Sequence, residues 1–497
     1  MPNRFKMKLI LALLLLTSTA VYGQISITLT PNGSDDYTAI QSAVKAGGGK
    51  QVNVIWKPGL YWTSRYIDLP YSNVRFFSDT SLTELRPTPD FKVTRDGLFQ
   101  AKAPAVYTDG TPTASLNIQV RANSNQFVYT DADKLKIGQV LVLSGGENFA
   151  VEKDAHGLPY KHGWFGSPIA IEGNVITMNN TPREGFTAYG LTQYGSLHDI
   201  QISGLKINLA GWTTGYGLEF RFVTNCKVDG IVIEGTPNSA EGHLMGIMAT
   251  ADGMVVQNSS FRHQRYLAKS GGNYAVNLQG NDLLVYNCNF WQTVDGIESG
   301  GRNYVTRGYR ILKNRISDLG RLAIGMHANT YGEVAYNIIY TKWTQAITFR
   351  HKWSRAHHNY ILVDNTAGTQ KFNNWLWEYA FDGMQIDSNW FVYRGGTAKV
   401  NLAIKTSQLL EPMRNMKVFN NNIWGGSFSF SNLGTGNFIS DNHFYEYGGI
   451  VGFLRPKSLE GNTISDNRFI KGIAPPDESV LQEAWNKNPF RLGQRKD

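Results

Sequence analysis

Residues 333–361 read EVAYNIIYTKWTQAITFRHKWSRAHHNYI and contain one full turn of a repeat. At each end stands the same short phrase: an apolar residue, a small polar residue or Asn, any residue, then an apolar residue. Asn337 occupies the polar position in the first copy and Asn359 in the second. Between them QAITFR alternates in the manner of a strand, with no helical period. Outward in both directions the phrase recurs, as in RAHHNYIL, MQIDSNWF, MKVFNNNIW and NFISDNHF. Its polar position falls at Ser203, Asp229, Ser259, Cys288, Asn314, Asn337, Asn359, Asn389, Asn421, Asn442 and Asn467, with spacings of 21 to 32 residues.

Eleven copies imply one strand of each kind per turn, stacked in parallel. A buried Asn at a bend satisfies backbone groups and the Asn of the next coil. Parallel crossovers are almost always right-handed. The expectation is an all-β, single-stranded right-handed parallel β-helix with an N-terminal capping helix and a small β insertion.

The cap is read from YTAIQSAVKAGGGK after Asp35-Asp36, with Ala39, Ile40, Ala43 and Val44 on its apolar side. Such a helix would close the open end of a solenoid core. The expected organisation is a signal peptide over 1–23, the cap and first coils over 24–133, the insertion over 134–180, the main β-helix over 181–475 and a surface tail over 476–497. Arg4, Lys6 and Lys8 precede the apolar run Leu9–Leu16, and Val21-Tyr22-Gly23 supplies small residues for cleavage, the layout of a secretory signal. Periplasmic or extracellular localisation follows, without stable membrane insertion. Cys226 and Cys288 are expected two coils apart, too far for a disulfide, as packed thiols.

The chain of 497 residues has 42% hydrophobic and 18% charged residues, enough for a large core, and a net charge of +9. The positive charge is scattered and no nucleic-acid motif is present, which leaves an anionic polysaccharide as the expected partner of an exported protein. Oligomeric state is open.

DDYTAIQSAVKAGGGKQVNVIWKPGLYW, followed by these coils, resembles the pectate-lyase-like β-helix superfamily over nearly the whole mature chain. That resemblance implies the fold, since lyases, glycosidases, epimerases and viral tailspikes share it.

A second strand precedes each Asn phrase: MGIMAT, YAVNLQ, DGIES, LAIGMH, QAITFR, NWLWEY and NLAIKT. Alternation puts Ile247, Val276, Ile297, Ile324 and Ile347 inside. Two outward columns remain. One holds Met248, Asn277, Glu298, Gly325, Thr348, Trp377 and Ala403; the other holds Thr250, Gln279, Gly300, His327, Arg350, Tyr379 and Lys405.

β-Elimination of a uronate polymer needs a cation for the C5 carboxylate, a base for the C5 proton and an acid for the leaving oxygen. His327 suits the base because imidazole is neutral near pH 7. Arg350 suits the cation, and Tyr379 or His351 the acid. Asn277, Gln279, Glu298, Trp377 and Lys405 would bind substrate along the face, and Arg265 and Tyr266 its rim. LAIGMHANTYGEVAYNIIYTKWTQAITFRHKW resembles the catalytic stretch of polysaccharide lyase family six, the chondroitinase B and alginate lyase group. Arg350-His351 matches the family's Arg-His pair, whereas His327 stands where the family has lysine. Arg321, Leu322 and Ala323 replace its acidic calcium ligands. Asn277 and Glu298 supply too few oxygens for calcium, so no cofactor or metal is expected.

Two other functions compete. A β-helix glycoside hydrolase would draw paired carboxylates from Asp295, Glu298 and Asp318, though the odd separation of Asp295 and Glu298 turns them to opposite faces. A non-catalytic glycan-binding surface protein would use the same aromatics and cations without chemistry. An epimerase would share the lyase's proton abstraction. His357 and His358 read as turn residues beside the Asn column.

Overall fold

The computed structural model describes the chain except for residues 1–23, 111–115, 154–158, 237–242, 265–273, 300–305, 342–344, 365–371, 379–381, 396–399, 407–411, 431–432, 446–448, 451–459 and 488–497. The secretory-signal reading of 1–23 therefore lies outside the described residues, as do Arg265, Tyr266 and Tyr379.

The chain winds into a parallel β-helix of three long sheets. A 14-stranded first sheet runs from Ile25–Leu29 to Thr463–Ser465, and a 13-stranded second sheet from Gly59–Thr63 to Arg468–Ile470. The third, also 13-stranded, runs from Ile67–Asp68 to Gly449–Ile450 and carries the longer strands. Inward residues of all three form one core, with Ile247, Val276, Ile297, Ile324 and Ile347 buried as the alternation requires.

The corner from first to second sheet is tight and nearly invariant. Leu312 ends a first-sheet strand and Arg315 begins the next strand on the second sheet. Between them Lys313 takes φ 57° and Asn314 turns inward, and the same left-handed step recurs at Tyr336, His358, Ser388, Asn420 and Asp441. The other two corners vary: second to third sheet runs from Ser317 to Leu322 in one coil and from Asp364 to Phe372 in another, and third to first runs from Lys352 to Arg355 in one coil and from Thr406 to Lys417 in another.

The Asn column is a continuous hydrogen-bonded ladder. The Asn314 backbone N–H and Nδ2 both donate to Asn337 Oδ1 at 3.0 Å. The pattern repeats from Asn337 to Asn359, Asn389, Asn421, Asn442 and Asn467. Each Nδ2 also donates to a carbonyl of the coil before, as Asn359 does to Val334 at 2.8 Å. These bonds satisfy groups that the bend removes from the sheets.

The column departs from expectation at its start. Ser259 Oγ accepts from the Ile231 N–H at 3.3 Å, so the ladder positions of the first coils are Leu205 and Ile231, both buried. Ser203 and Asp229, two residues earlier, point outward; Asp229 binds Gln257 and Asn258 at 2.9 Å each. Cys226 and Cys288 are free and buried, and burial pushes both thiols up to about 12.

His357 and His358 flank this ladder on the first sheet. His357 Nε2 meets Glu333 Oε1 at 2.8 Å, and the two Nδ1 atoms lie 2.8 Å apart. Burial, then the charge of His357, lowers His358 to about 4. A histidine kept neutral by the fold binds its proton more readily when unfolded, so stability falls as pH drops from about 6.5 towards 4. With its partial exposure this group should cost on the order of 1–2 kcal/mol across that window. Denaturation of His358→Phe at pH 7 and pH 4.5 should show that part of the slope removed; an unchanged slope would refute the assignment.

Helix α1 (Tyr37–Lys45) caps the N-terminal end, with Ile40, Ala43 and Val44 in the core. Ala39 is exposed instead. Gln41 is buried in its place because its side chain exchanges two bonds with the Asp68 backbone, at 2.9 and 3.0 Å. The tail forms helix α2 (Ser479–Lys487) against the second sheet: Leu481 packs with Tyr360, Leu362 and Trp424. Its Trp485 meets Tyr336 edge-on at 5.0 Å, with Lys313 Nζ 3.7 Å from the indole.

Antiparallel strands extend beyond the expected 134–180 on both sides. Ala105–Asp109 and Ile118–Val120 pair with Phe186–Tyr194, which pairs with Leu141–Lys153. Strand alternation before residue 134 does not by itself distinguish coil from insertion. The insertion has its own core around Phe127, Trp164 and Ile176. It docks on the ends of third-sheet strands, where Tyr194 stacks on Phe222 and Arg307 donates to Gly163 O at 3.1 Å.

Candidate active site

The third sheet is the floor of the candidate site, and the docked insertion stands along one of its edges. Strands Tyr274–Asn281, Asp295–Ser299, Leu322–Thr330, Gln345–Lys352, Phe372–Glu378 and Val400–Thr406 lie side by side in parallel. Their register aligns Asn277, Glu298, Gly325, Thr348 and Trp377 in one outward column. His327 pairs with Arg350 in the neighbouring column.

One assignment shifts. Trp377 pairs with Lys405, so Lys405 joins the Glu298 column instead of following Tyr379, and Ala403 moves back beside Trp375. A slip of two residues preserves every in–out assignment, which is why alternation alone does not detect it. For Arg350, His351, Trp377 and Lys405 only the backbone is described.

Around Glu298 the side chains converge. Asn277 Nδ2 donates to Glu298 Oε2 at 2.6 Å, and Gln279 Nε2 reaches Asn277 Oδ1 at 3.4 Å. His327 Nε2 lies 3.5 Å from Glu298 Oε1, with only 9% of the histidine side chain exposed. The inward packing of Ile324 and Met326 fixes this orientation, because it turns Gly325 and His327 to the outer face.

Three further residues belong to the cluster. The buried Tyr274 hydroxyl bonds Glu298; burial, then the charges of Glu298 and Asp295, holds it well above the usual phenol range. It therefore remains a proton donor through neutral pH. Asp295 is fully buried. Arg321 grips its two carboxylate oxygens at 2.9 and 2.5 Å, and the Leu322 N–H adds a third bond at 2.9 Å. Arg321 also reaches the Tyr274 hydroxyl at 3.3 Å. Tyr274 opens the quoted strand YAVNLQ, but a position at a strand start does not reveal its reach across to the next coil.

Between Glu298 and Thr348 the column has no side chain. A Cβ at Gly325 would stand 3.6 Å from both His327 Nε2 and Tyr274 Cε1. Thr348, beyond the gap, is buried, and its hydroxyl has no hydrogen-bond partner among the described residues. The gap thus brings a histidine nitrogen, a phenol and a carboxylate to the border of one small space.

Among the described residues no group of three or more His, Cys, Asp or Glu side chains is arranged to hold a metal, and no helix is long and apolar enough to cross a membrane. Asp318 lies away from Glu298, at the corner after the second-sheet strand Arg315–Ser317.

No protein-family model matches the chain, and no curated protein matches it. Solved structures do. The tailspike gp61 of Pseudomonas phage phi297 aligns with a TM-score of 0.53 at 12% identity, over 93% of this chain and 76% of that one. The tailspike protein gp49 of Pseudomonas phage LKA1 aligns with a TM-score of 0.52 at 16% identity, over 84% and 74%. DFA-IIIase from Arthrobacter chlorophenolicus A6, in complex with GF2, aligns at 0.44 and 11% identity over 85% and 88%, too loosely to carry anything across. The first two likenesses concern the parallel β-helix itself.

Proposed function

We propose that this protein is an exported polysaccharide lyase of pectate-lyase-like descent, cleaving a uronic-acid-containing polysaccharide on the third sheet. One observation carries the reading: His327 Nε2 borders the gap above Gly325 while its strand neighbours bear Glu298 on one side and Arg350 on the other. A uronate seated over Gly325 offers its C5–H to His327. Arg350 neutralises the charge gathering on the C5 carboxylate. The electron pair left at C5 forms the C4–C5 double bond as the C4–O bond breaks. The departing oxygen takes a proton from Tyr274, or from Tyr379 or His351 on the coils beyond. Glu298 orients His327 and the substrate hydroxyls.

The hydrolase alternative has less support. It needs a second carboxylate free to act with Glu298, and Asp295 is fully buried in bidentate contact with Arg321.

The deciding assay is near-ultraviolet absorbance of an unsaturated uronate during incubation with alginate, pectate, chondroitin and dermatan sulfates or heparinoids. Absorbance growing with new reducing ends supports elimination; new reducing ends without it would mean hydrolysis and end the proposal.

The gap supplies its own test. In Gly325→Ala the new methyl would press only on the mobile end of Leu322, 2.9 Å away, while entering the space beside His327. The expected result is a fall in kcat/KM of at least about tenfold with an almost unchanged melting temperature, since a blocked near-attack position costs rate more than stability. Full activity in this variant would show that substrate does not use the gap.

A further inference from the structure

Three successive coils bring Tyr274, Asp295 and Arg321 together at the entry to the third sheet. Tyr274 pairs with Asp295 in register, and Arg321 immediately precedes strand Leu322–Thr330 on the coil after. Asp295 is fully buried, and a carboxylate there needs a cation and hydrogen bonds to stay charged. Arg321 meets both its oxygens, and the Leu322 N–H adds a third bond. This two-point grip fixes the plane of the guanidinium. Its Nη2 therefore stays 3.3 Å from the Tyr274 hydroxyl, with the guanidinium carbon 5.9 Å from the ring centroid.

We propose that Tyr274 is the general acid of the candidate site, and that Arg321, locked in place by Asp295, is the positioning residue that enables it. This inference rests on the lyase reading and chooses among the proton donors which that reading leaves open. The phenol borders the gap over Gly325: its Cε1, next to the hydroxyl-bearing carbon, is as near to that space as His327 Nε2, at 3.6 Å from a Cβ there. Base and acid thus reach one sugar. As the C4–O bond breaks, its electron pair goes to the leaving oxygen, which takes the Tyr274 proton. The phenolate left behind faces the Arg321 cation. The proton held by His327 then returns through solvent to the phenolate, so no other reactant is consumed. Burial, then the charges of Glu298 and Asp295, make the phenol reluctant to part with its proton, and the charge of Arg321 acts against them. Proton transfer is fastest when donor and acceptor are better matched, which is what the cation provides.

A pair of substrates separates this role from a structural one: the acidic polysaccharide that the parent cleaves best, and a synthetic uronate carrying 4-nitrophenoxide at C4, which leaves without a proton. Tyr274→Phe should lower kcat on the polysaccharide about 10²-fold with little change in KM. On the nitrophenyl ether it should recover to within about threefold of the parent, because no acid is needed there. Arg321→Gln combined with Asp295→Asn, which strands no buried charge, should show the same pattern. Adding Tyr274→Phe to that pair should cost little more, since the three residues act as a unit. Arg321→Lys should retain part of the polysaccharide rate. Equal losses on both substrates, or a polysaccharide rate in Tyr274→Phe close to that of the parent, would overturn the proposal and leave the lyase reading standing. A parent that forms no unsaturated product from any polysaccharide would sink both. Should the paired variant fail to fold, Tyr274→Phe, which removes only a hydroxyl, decides alone.

Discussion

His327→Ala is expected to lower the rate of unsaturated-uronate formation by about 10²–10⁴-fold, the range for loss of a positioned general base, while circular dichroism and melting temperature stay near those of the parent. The imidazole lies on the outer face, over a floor whose inward residues Ile324 and Met326 are untouched by the change. Arg350→Ala should abolish cleavage to a similar degree by removing the charge beside the C5 carboxylate. Glu298→Gln should be milder, because the amide still occupies the space between Asn277 and His327 but no longer accepts from both as a carboxylate. A kcat within threefold of the parent in His327→Ala would remove His327 from the chemistry. Lost activity with a collapsed melting transition would make its role structural.

The largest expected effect on stability lies elsewhere, at Asn389→Leu. Asn389 is fully buried. Its Oδ1 accepts from the Asn359 N–H at 3.0 Å and from Asn359 Nδ2 at 2.9 Å. Its Nδ2 donates to Ala356 O at 3.0 Å and to Asn421 Oδ1 at 2.9 Å. Leucine has nearly the same volume and removes all four bonds. The Asn359 N–H then loses its acceptor, Asn359 Nδ2 keeps only Val334 O, and the Ala356 carbonyl loses the Asn389 donor. At about 1–3 kcal/mol for each stranded group, the loss should reach roughly 3–6 kcal/mol in urea denaturation. Lys417→Ala on the exposed face should change it by less than about 0.5 kcal/mol. Equal midpoints for the two variants would mean that the ladder contributes nothing net.

The ladder was legible because a buried Asn has one economical use at a bend and recurs once per coil. Its first positions were not. Ser203 and Asp229 fit the same polar phrase, but the corner residues are Leu205 and Ile231, and a shift of two keeps every residue on its face. The same ambiguity displaced Lys405. At the candidate site, alternation and coil spacing found the column of Asn277, Glu298 and Gly325 and the pairing of His327 with Arg350. Tyr274 and the Arg321–Asp295 pair depend on how far long side chains reach between coils and on burial at a strand start, neither of which a periodic pattern encodes. Arg321, noticed only as a residue standing where a family has calcium ligands, is the partner that neutralises Asp295.

The one rigid corner and the two elastic corners divide the molecule's labour. The first-to-second crossing, which carries the ladder, keeps a nearly fixed length. The variation in coil length enters at the two ends of the third-sheet strands, as between Asp364 and Phe372 and between Thr406 and Lys417. Those segments border the third-sheet floor. A descendant of this chain can therefore acquire or discard several residues beside Glu298 in one evolutionary step without disturbing a single ladder bond. Specificity and foldability are in this respect separately heritable, and a designer grafting a new loop can use either corner that flanks the third sheet.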